Sequence, residues 1–72
     1  MKVIQASVDT IMLTMIVESM SEAKEIFIRD NSRLPIRKDG NMVFVDWTDD
    51  YSDEVYFEDV TNKRGIIQYE SH

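Results

Sequence analysis

The stretch that decides the fold is SMSE, residues 19–22. Ser19 followed three residues later by Glu22 is a capping box: the hydroxyl accepts the amide of the third helical residue, and the carboxylate returns to the amide of the cap. The pattern predicts a helix from Ser19 to about Asn31, since Pro35 follows shortly after. The side chains that we expect on the buried face of this helix are Met20, Ala23, Ile26 and Phe27.

Two interpretations of the residues before the capping box are open. In the first, they form strands at about residues 2–8 and 11–18, because Val, Ile and Thr dominate, and Asp9 and Thr10 make the turn. In the second, one helix starts at Thr10 and continues through the capping box, because the apolar residues also fit a 3.6-residue period. We favour the strands, since a helix that begins at Ser19 cannot also contain residues 11–18.

The second half of the chain carries strand and turn signals. Asp39-Gly40 is a favoured two-residue hairpin turn, and strands are expected at about residues 42–47, 54–60 and 65–70. In the first of these strands, one face carries Val43, Val45 and Trp47, and the other carries Met42, Phe44 and Asp46.

The order of these elements predicts the fold class. It is α+β: a small antiparallel sheet of about five strands with one helix packed on one face, in the order ββαβββ. A chain of 72 residues can bury only one small core, so we expect a single domain over residues 1–72. The chain has no cysteine, which excludes disulfides and thiolate metal sites and leaves packing or a partner subunit to supply stability.

The second predicted strand, residues 11–18, is apolar on both faces. One face carries Ile11, Leu13, Met15 and Val17, and the other carries Met12, Thr14, Ile16 and Glu18. A strand of this kind lies at the centre of a sheet or is covered by a partner. Because a small chain without disulfides gains stability from a second subunit, we expect a homo-oligomer, with a dimer favoured, that associates through Met12, Thr14 and Ile16.

Acidic residues are concentrated in the second half of the chain. The net charge is −6, and residues 39–62 contain eight acids and no base. We expect no direct nucleic-acid ligand, because phosphate binding needs a basic surface. Within this region VDWTDDYSDEVYFEDV, residues 45–60, combines seven carboxylates with four aromatic side chains.

Two interpretations of residues 45–60 are open. In one, they are a solvated loop and the polar faces of two strands, where carboxylates limit edge-to-edge aggregation. In the other, they form a protein-binding patch, with aromatic anchors inside a charged rim and carboxylates that steer a basic partner into contact. The residues predicted for this patch are Trp47, Asp49, Asp50, Tyr51, Asp53, Glu54 and Tyr56.

The residue types argue against catalysis, a cofactor and a dedicated metal site. The single histidine, His72, is the last residue, where fraying is expected. Without cysteine, and with two glycines, the chain has neither nucleophile and histidine machinery nor a glycine-rich phosphate loop. The aspartates between Asp46 and Asp53 lack the spacing and the glycine of a calcium-binding loop. We therefore expect no enzyme, no cofactor and no metal ligand.

The apolar N-terminal segment is not expected to enter a membrane. Polar side chains interrupt it at Gln5, Ser7, Asp9, Thr10 and Thr14. The unbroken apolar stretches are far shorter than a membrane span. We expect a cytoplasmic protein that is neither exported nor membrane-anchored.

The segment VESMSEAKEI, residues 17–26, resembles a pattern in small phage- and plasmid-encoded proteins. Those proteins open with Met-Lys, run a strand or hairpin into V/I-E-x-S, and cap a helix that begins S-x-A-K. The matching residues here are Met1, Lys2, Val17, Glu18, Ser19, Ser21, Ala23 and Lys24. The pattern resembles the N-terminal third of certain anti-CRISPR proteins, which bind the nucleic-acid groove of a bacterial surveillance complex. The resemblance implies a mobile-element protein that binds a host protein, and it transfers no binding residue to this chain.

Two functions are therefore expected as alternatives. The first is a small acidic phage or prophage protein-interaction module that binds, and can inhibit, a basic host protein such as a nucleic-acid-binding protein. The second is a self-assembling structural module with no dedicated ligand.

Overall fold

A computed structural model describes residues 1–63. They form β1 (Lys2–Val8), β2 (Ile11–Val17), α1 (Met20–Asp30), β3 (Ile36–Asp39), β4 (Met42–Asp46), β5 (Ser52–Glu54) and β6 (Tyr56–Asp59). The predicted α+β class is confirmed. The strand expected at residues 65–70 lies outside the described residues.

The strands belong to two antiparallel sheets, so the prediction of one five-stranded sheet in the order ββαβββ is wrong. The strand order is β2-β1-β6 in one sheet and β3-β4-β5 in the other. Residues 52–54 pair with β4, whereas residues 56–59 pair with β1. Between them Val55 is buried, and its amide donates to the Val43 carbonyl at 2.7 Å. The strand expected at about residues 54–60 is thus two short strands that change sheets at Val55.

The first hairpin forms as expected, which excludes the alternative of a helix from Thr10. β1 and β2 pair along their whole length and close at Val8 and Ile11, which leaves Asp9 and Thr10 as the loop. Asp9 has a φ of 54°, in the left-handed region that Asp tolerates better than most residues.

Helix α1 is capped as the sequence predicts, with one difference. The Ser19 hydroxyl accepts a hydrogen bond from the Glu22 amide at 3.1 Å. The Glu22 carboxylate accepts the amide of Glu18 at 2.7 Å, one residue before the cap. At the other end, the side chain and the backbone amide of Asn31 each donate to the Phe27 carbonyl at 3.0 Å. Both ends of the helix are therefore closed by their own residues.

The second hairpin turns one residue later than expected. Asp39 pairs with Met42, so the loop is Gly40 and Asn41 rather than Asp39 and Gly40. Gly40 has a φ of +61°, which glycine adopts at no steric cost. β4 ends at Asp46, so that Trp47 follows the strand instead of closing it.

One core joins the helix to both sheets. Its buried side chains are Ile4, Ala6, Val8, Met15, Val17, Ala23, Phe27, Val43, Val45 and Val55. Met20 and Ile26, which we expected to be buried with Ala23 and Phe27, are half-buried at its margin.

Two aromatic rings fix the helix against strand β6. Phe27 of α1 meets Phe57 of β6 edge to face, with ring centroids 5.8 Å apart. The Lys24 ammonium lies 5.7 Å from the centroid of the Phe57 ring and donates to the Asn41 carbonyl in the second hairpin. Lys24 therefore links the helix to both sheets.

Candidate functional site

The loop between β4 and β5 is held by a single carboxylate. Asp53 accepts a hydrogen bond from the Trp47 indole at 2.8 Å on one oxygen and from the Tyr51 hydroxyl at 3.1 Å on the other. The Tyr51 carbonyl also accepts the Thr48 amide at 3.1 Å, and the Thr48 hydroxyl accepts the Asp50 amide at 3.2 Å. Both oxygens of Asp53 are thus used to position two aromatic side chains, and the loop is ordered by its own residues.

Exposure differs between the two rings that Asp53 holds. Trp47 is half-buried and packs against the core. Tyr51 is 57% exposed and lies at the surface of the loop. The adjacent carboxylates of Asp49 and Asp50 are also exposed. The loop therefore presents one fixed aromatic ring beside two solvated charges.

The β1–β2 turn adds a further acid to this end of the molecule. The pKa of Tyr51 is raised because its hydroxyl donates to the Asp53 carboxylate, and because the charge of Asp53 and, less strongly, that of Asp9 favour the neutral phenol. The pairing of Ser7 with Tyr56 explains this proximity, since it brings the turn after β1 alongside β5. We call Asp9, Asp49, Asp50, Tyr51 and Asp53 the acidic end.

Asp46, by contrast, is neutralised within the chain. Arg37 donates to both of its oxygens, at 2.9 and 3.0 Å, and the Ser52 hydroxyl donates at 2.6 Å. These hydrogen bonds from Arg37, and then from Ser52, lower the pKa of Asp46. The Arg37 guanidinium also lies 4.5 Å from the centroid of the Phe44 ring. Asp46 and Arg37 thus form a bidentate pair that fastens β3 to β4.

The acids of the acidic end have no such pairing. Within residues 1–63, the ion pairs involve Glu18, Asp30, Asp46, Glu58 and Asp59, and none joins the acidic end to a base. Among residues 1–63, the β4–β5 loop and the neighbouring turn therefore bring together acids that form no ion pair.

The structure separates the predicted protein-binding patch into two groups of residues. Trp47, Asp49, Asp50, Tyr51 and Asp53 lie together in and beside the β4–β5 loop. Glu54 and Tyr56 flank Val55, and both line a groove of about 250 Å³ together with Met20, Lys24, Asn41, Met42, Val43 and Phe57.

Tyr56 also lies in line with residues predicted for self-association. On the outer face of the β2-β1-β6 sheet, Met12 is opposite Ser7, which is opposite Tyr56. Met12, Ile16 and Tyr56 are 64%, 67% and 63% exposed. Thr14 lies between the first two and is also exposed. We call Met12, Thr14 and Ile16 the β2 outer face.

Within residues 1–63, strand β2 lies at the edge of its sheet and not at its centre. Among the described residues β2 pairs with β1 alone. Its inner face is confirmed as the core face, with Met15 and Val17 buried and Ile11 and Leu13 half-buried. The other alternative, a strand covered by a partner, stays a prediction for the β2 outer face.

The described residues also bear on the expectations about metal binding and membrane insertion. In residues 1–63, no group of three or more His, Cys, Asp or Glu side chains is placed to hold a metal ion. The helix of this part is too short and too polar to cross a membrane. His72 lies outside the described residues.

The chain matches no protein-family model, no curated protein and no solved structure.

Sequence reasoning missed the contribution of Asp9 to the acidic end. Asp9 is distant from Tyr51 in the sequence, and the two approach each other only because β6 pairs with β1. Sequence reasoning also treated Asp53 as an ordinary surface charge. In the structure this carboxylate accepts hydrogen bonds from Trp47 and Tyr51 and so holds the loop in place. The available signal was an acid that follows two aromatic donors closely, six residues after Trp47 and two residues after Tyr51.

Proposed function

We propose that the protein is a small acidic interaction module that binds a basic host protein, such as a nucleic-acid-binding protein, and inhibits it by occupying its basic groove. The binding surface is the acidic end. The observation that carries this proposal is the Asp53 carboxylate, which holds Trp47 and Tyr51 in place and leaves the Asp49 and Asp50 carboxylates exposed beside them.

Preorganisation of the loop is the physical reason for the proposal. An ordered loop loses less conformational entropy on binding than a mobile one, so more of the contact energy remains as affinity. An exposed Tyr is a frequent anchor of binding hot spots, and it buries a large area through few rotatable bonds. Carboxylates around it raise the rate of encounter with a basic surface.

The N-terminal resemblance to anti-CRISPR proteins supports a host protein as the partner. The residues that carry this resemblance lie in about the first third of the chain, and none of them belongs to the acidic end. The residues proposed to bind are therefore those of this chain, chosen on their exposure and charge.

The test is capture from a bacterial lysate with variants of equal charge. The binding variant is Asp9→Asn, Asp49→Asn and Asp50→Asn, which removes three exposed carboxylates and keeps Asp53 to hold the loop. The control variant removes three exposed acids elsewhere: Glu25→Gln, Asp30→Asn and Asp39→Asn.

The parent and the control should capture the same basic protein, which elutes with salt and is displaced by nucleic acid. The binding variant should not capture it. Equal capture by all three chains would show that the acidic end is not the binding surface.

A second candidate function rests on a different observation. The sequence of β2, IMLTMIV, contains no charge, yet within residues 1–63 this strand lies at a sheet edge with an exposed outer face. Such an edge favours association with another strand. We therefore propose self-assembly as the alternative, and sedimentation velocity that finds only monomer at micromolar concentration would refute it.

A further inference from the structure

Strand β2 differs from every other sheet edge in the described chain. The other edge strands each carry two or more charged side chains, with the sequences IRKD in β3, SDE in β5 and YFED in β6. Charges on an edge strand oppose the addition of another strand. β2 has seven residues without charge, proline or glycine. It is therefore the edge best suited to pair with a further strand.

Within residues 1–63, β2 pairs with β1 alone, and the backbone groups on its other edge belong to the β2 outer face residues. The Val60 amide donates to the Val3 carbonyl at 2.8 Å, so that the backbone groups of Val3 point toward β6. By alternation, the backbone groups of Ile4 point toward β2, where they meet Met15. The backbone groups of the alternate residues of β2 then point to the open edge, and these residues are Met12, Thr14 and Ile16.

We propose that β2 pairs antiparallel with β2 of a second copy, about a two-fold axis at Thr14. Counting only the strands of residues 1–63, the pairing joins two three-stranded sheets into one sheet of six strands. Met12 of each copy lies opposite Ile16 of the other, and Thr14 lies opposite Thr14. This inference rests on the second proposed function, self-assembly, and it specifies the surface and the register.

The contacts between apolar side chains favour this register over the registers in which the axis is shifted by one residue. With the axis at Thr14, the two exposed apolar side chains of each copy face each other, and the Glu18 carboxylate lies opposite the Thr10 hydroxyl. Moving the axis to Leu13 would place Ile16 opposite Thr10. Moving it to Met15 would place Met12 opposite Glu18, a charge against an apolar side chain.

Charge also favours the antiparallel arrangement. Each acidic end includes Asp9, which lies five residues from Thr14 along β2 and its turn. The two acidic ends are then separated by about ten residues of strand, or about 34 Å at 3.4 Å per residue. This separation exceeds the screening length of roughly 8 Å at physiological salt. Dimerisation thus leaves both acidic ends apart and accessible.

The absence of cysteine from the chain gives a direct test by disulfide cross-linking. The variants are Thr14→Cys, Met12→Cys and Ile16→Cys, each with a single thiol, under mild oxidation. In a hydrogen-bonded antiparallel pair, opposite Cα atoms are about 5.5 Å apart, within the 4.4–6.8 Å range of disulfides. We expect Thr14→Cys to cross-link with itself. Met12→Cys and Ile16→Cys should not cross-link alone but should do so when mixed.

Sedimentation velocity of the parent and of two lysine variants tests self-assembly independently of the pairing register. Ile16→Lys should yield monomer, whereas Met42→Lys, at an exposed Met of the other sheet, should leave the dimer intact. A parent dimer in which Thr14→Cys fails to cross-link would overturn the register and keep self-assembly. Cross-linking between Met12→Cys and Thr14→Cys chains would place the axis at Leu13 instead. A monomeric parent would overturn both proposals.

Discussion

Replacing Asp53 by Ala tests whether this carboxylate organises the β4–β5 loop. The variant loses the acceptor of the half-buried Trp47 indole, whose hydrogen bond is 2.8 Å long. A hydrogen bond to a charged group contributes about 1.5–3 kcal/mol, and the partial exposure of this pair places it near the lower figure. We expect the free energy of unfolding to fall by about 1.5 kcal/mol. For a chain of this size the melting temperature would fall by roughly 6–12 °C.

The assay combines urea unfolding, followed by far-UV circular dichroism, with fluorescence of Trp47, the single Trp of the chain. Its emission should shift to longer wavelength in Asp53→Ala as the indole loses its partner and gains water. Asp53→Asn should have an intermediate stability. Its amide keeps one acceptor oxygen, whereas the carboxylate offers one oxygen to Trp47 and the other to Tyr51. An Asp53→Ala variant with parental stability and unchanged emission would refute the role of Asp53 in holding the loop.

Further predictions concern the core, the cap and pH. Phe27→Ala removes a fully buried ring and should lower the free energy of unfolding by about 3–5 kcal/mol, leaving much of the chain unfolded in a circular dichroism melt. Ser19→Ala should lower it by about 1 kcal/mol, since the Glu22 amide loses its acceptor, and urea unfolding would detect this. Arg37 lowers the pKa of Asp46, so this pair stabilises the fold at neutral pH and loses its effect as the pH falls below about 4. The stability difference between the parent and Arg37→Gln should therefore be larger at pH 7 than at pH 2, and a difference that does not change with pH would contradict this assignment.

Local signals in the sequence predicted the first half of the fold correctly. The SMSE cap and the Asp9-Thr10 turn each depend on neighbouring residues only, and both are present. The alternation of buried and exposed residues along β2 also follows from strand geometry alone.

The second half depends on contacts between distant residues, which a single sequence does not encode locally. Nothing in the residues around Val55 marks a change of sheet; it follows from pairing with β4 on one side and with β1 on the other. The second hairpin offers two turn dipeptides, Asp39-Gly40 and Gly40-Asn41. The observed register places Arg37 over the ring of Phe44, where it also reaches Asp46.

The candidate site was predicted in composition but not in arrangement. The sequence indicates the acids and aromatics of the β4–β5 loop, and the structure places most of them together. The approach of Asp9 and the alignment of Tyr56 with Met12 both result from the pairing of β6 with β1. Such juxtapositions are tertiary, so local sequence patterns do not predict them.

The most direct test of the acidic end as a binding surface is the dissociation constant of the captured basic protein for three chains. These are the parent, the Asp9→Asn, Asp49→Asn and Asp50→Asn variant, and the Glu25→Gln, Asp30→Asn and Asp39→Asn control. We predict that the first variant binds at least roughly tenfold more weakly than the parent, a loss of about 1.4 kcal/mol, and that the control binds like the parent. Equal weakening in both variants would mean that only net charge matters and would contradict a binding surface at the acidic end.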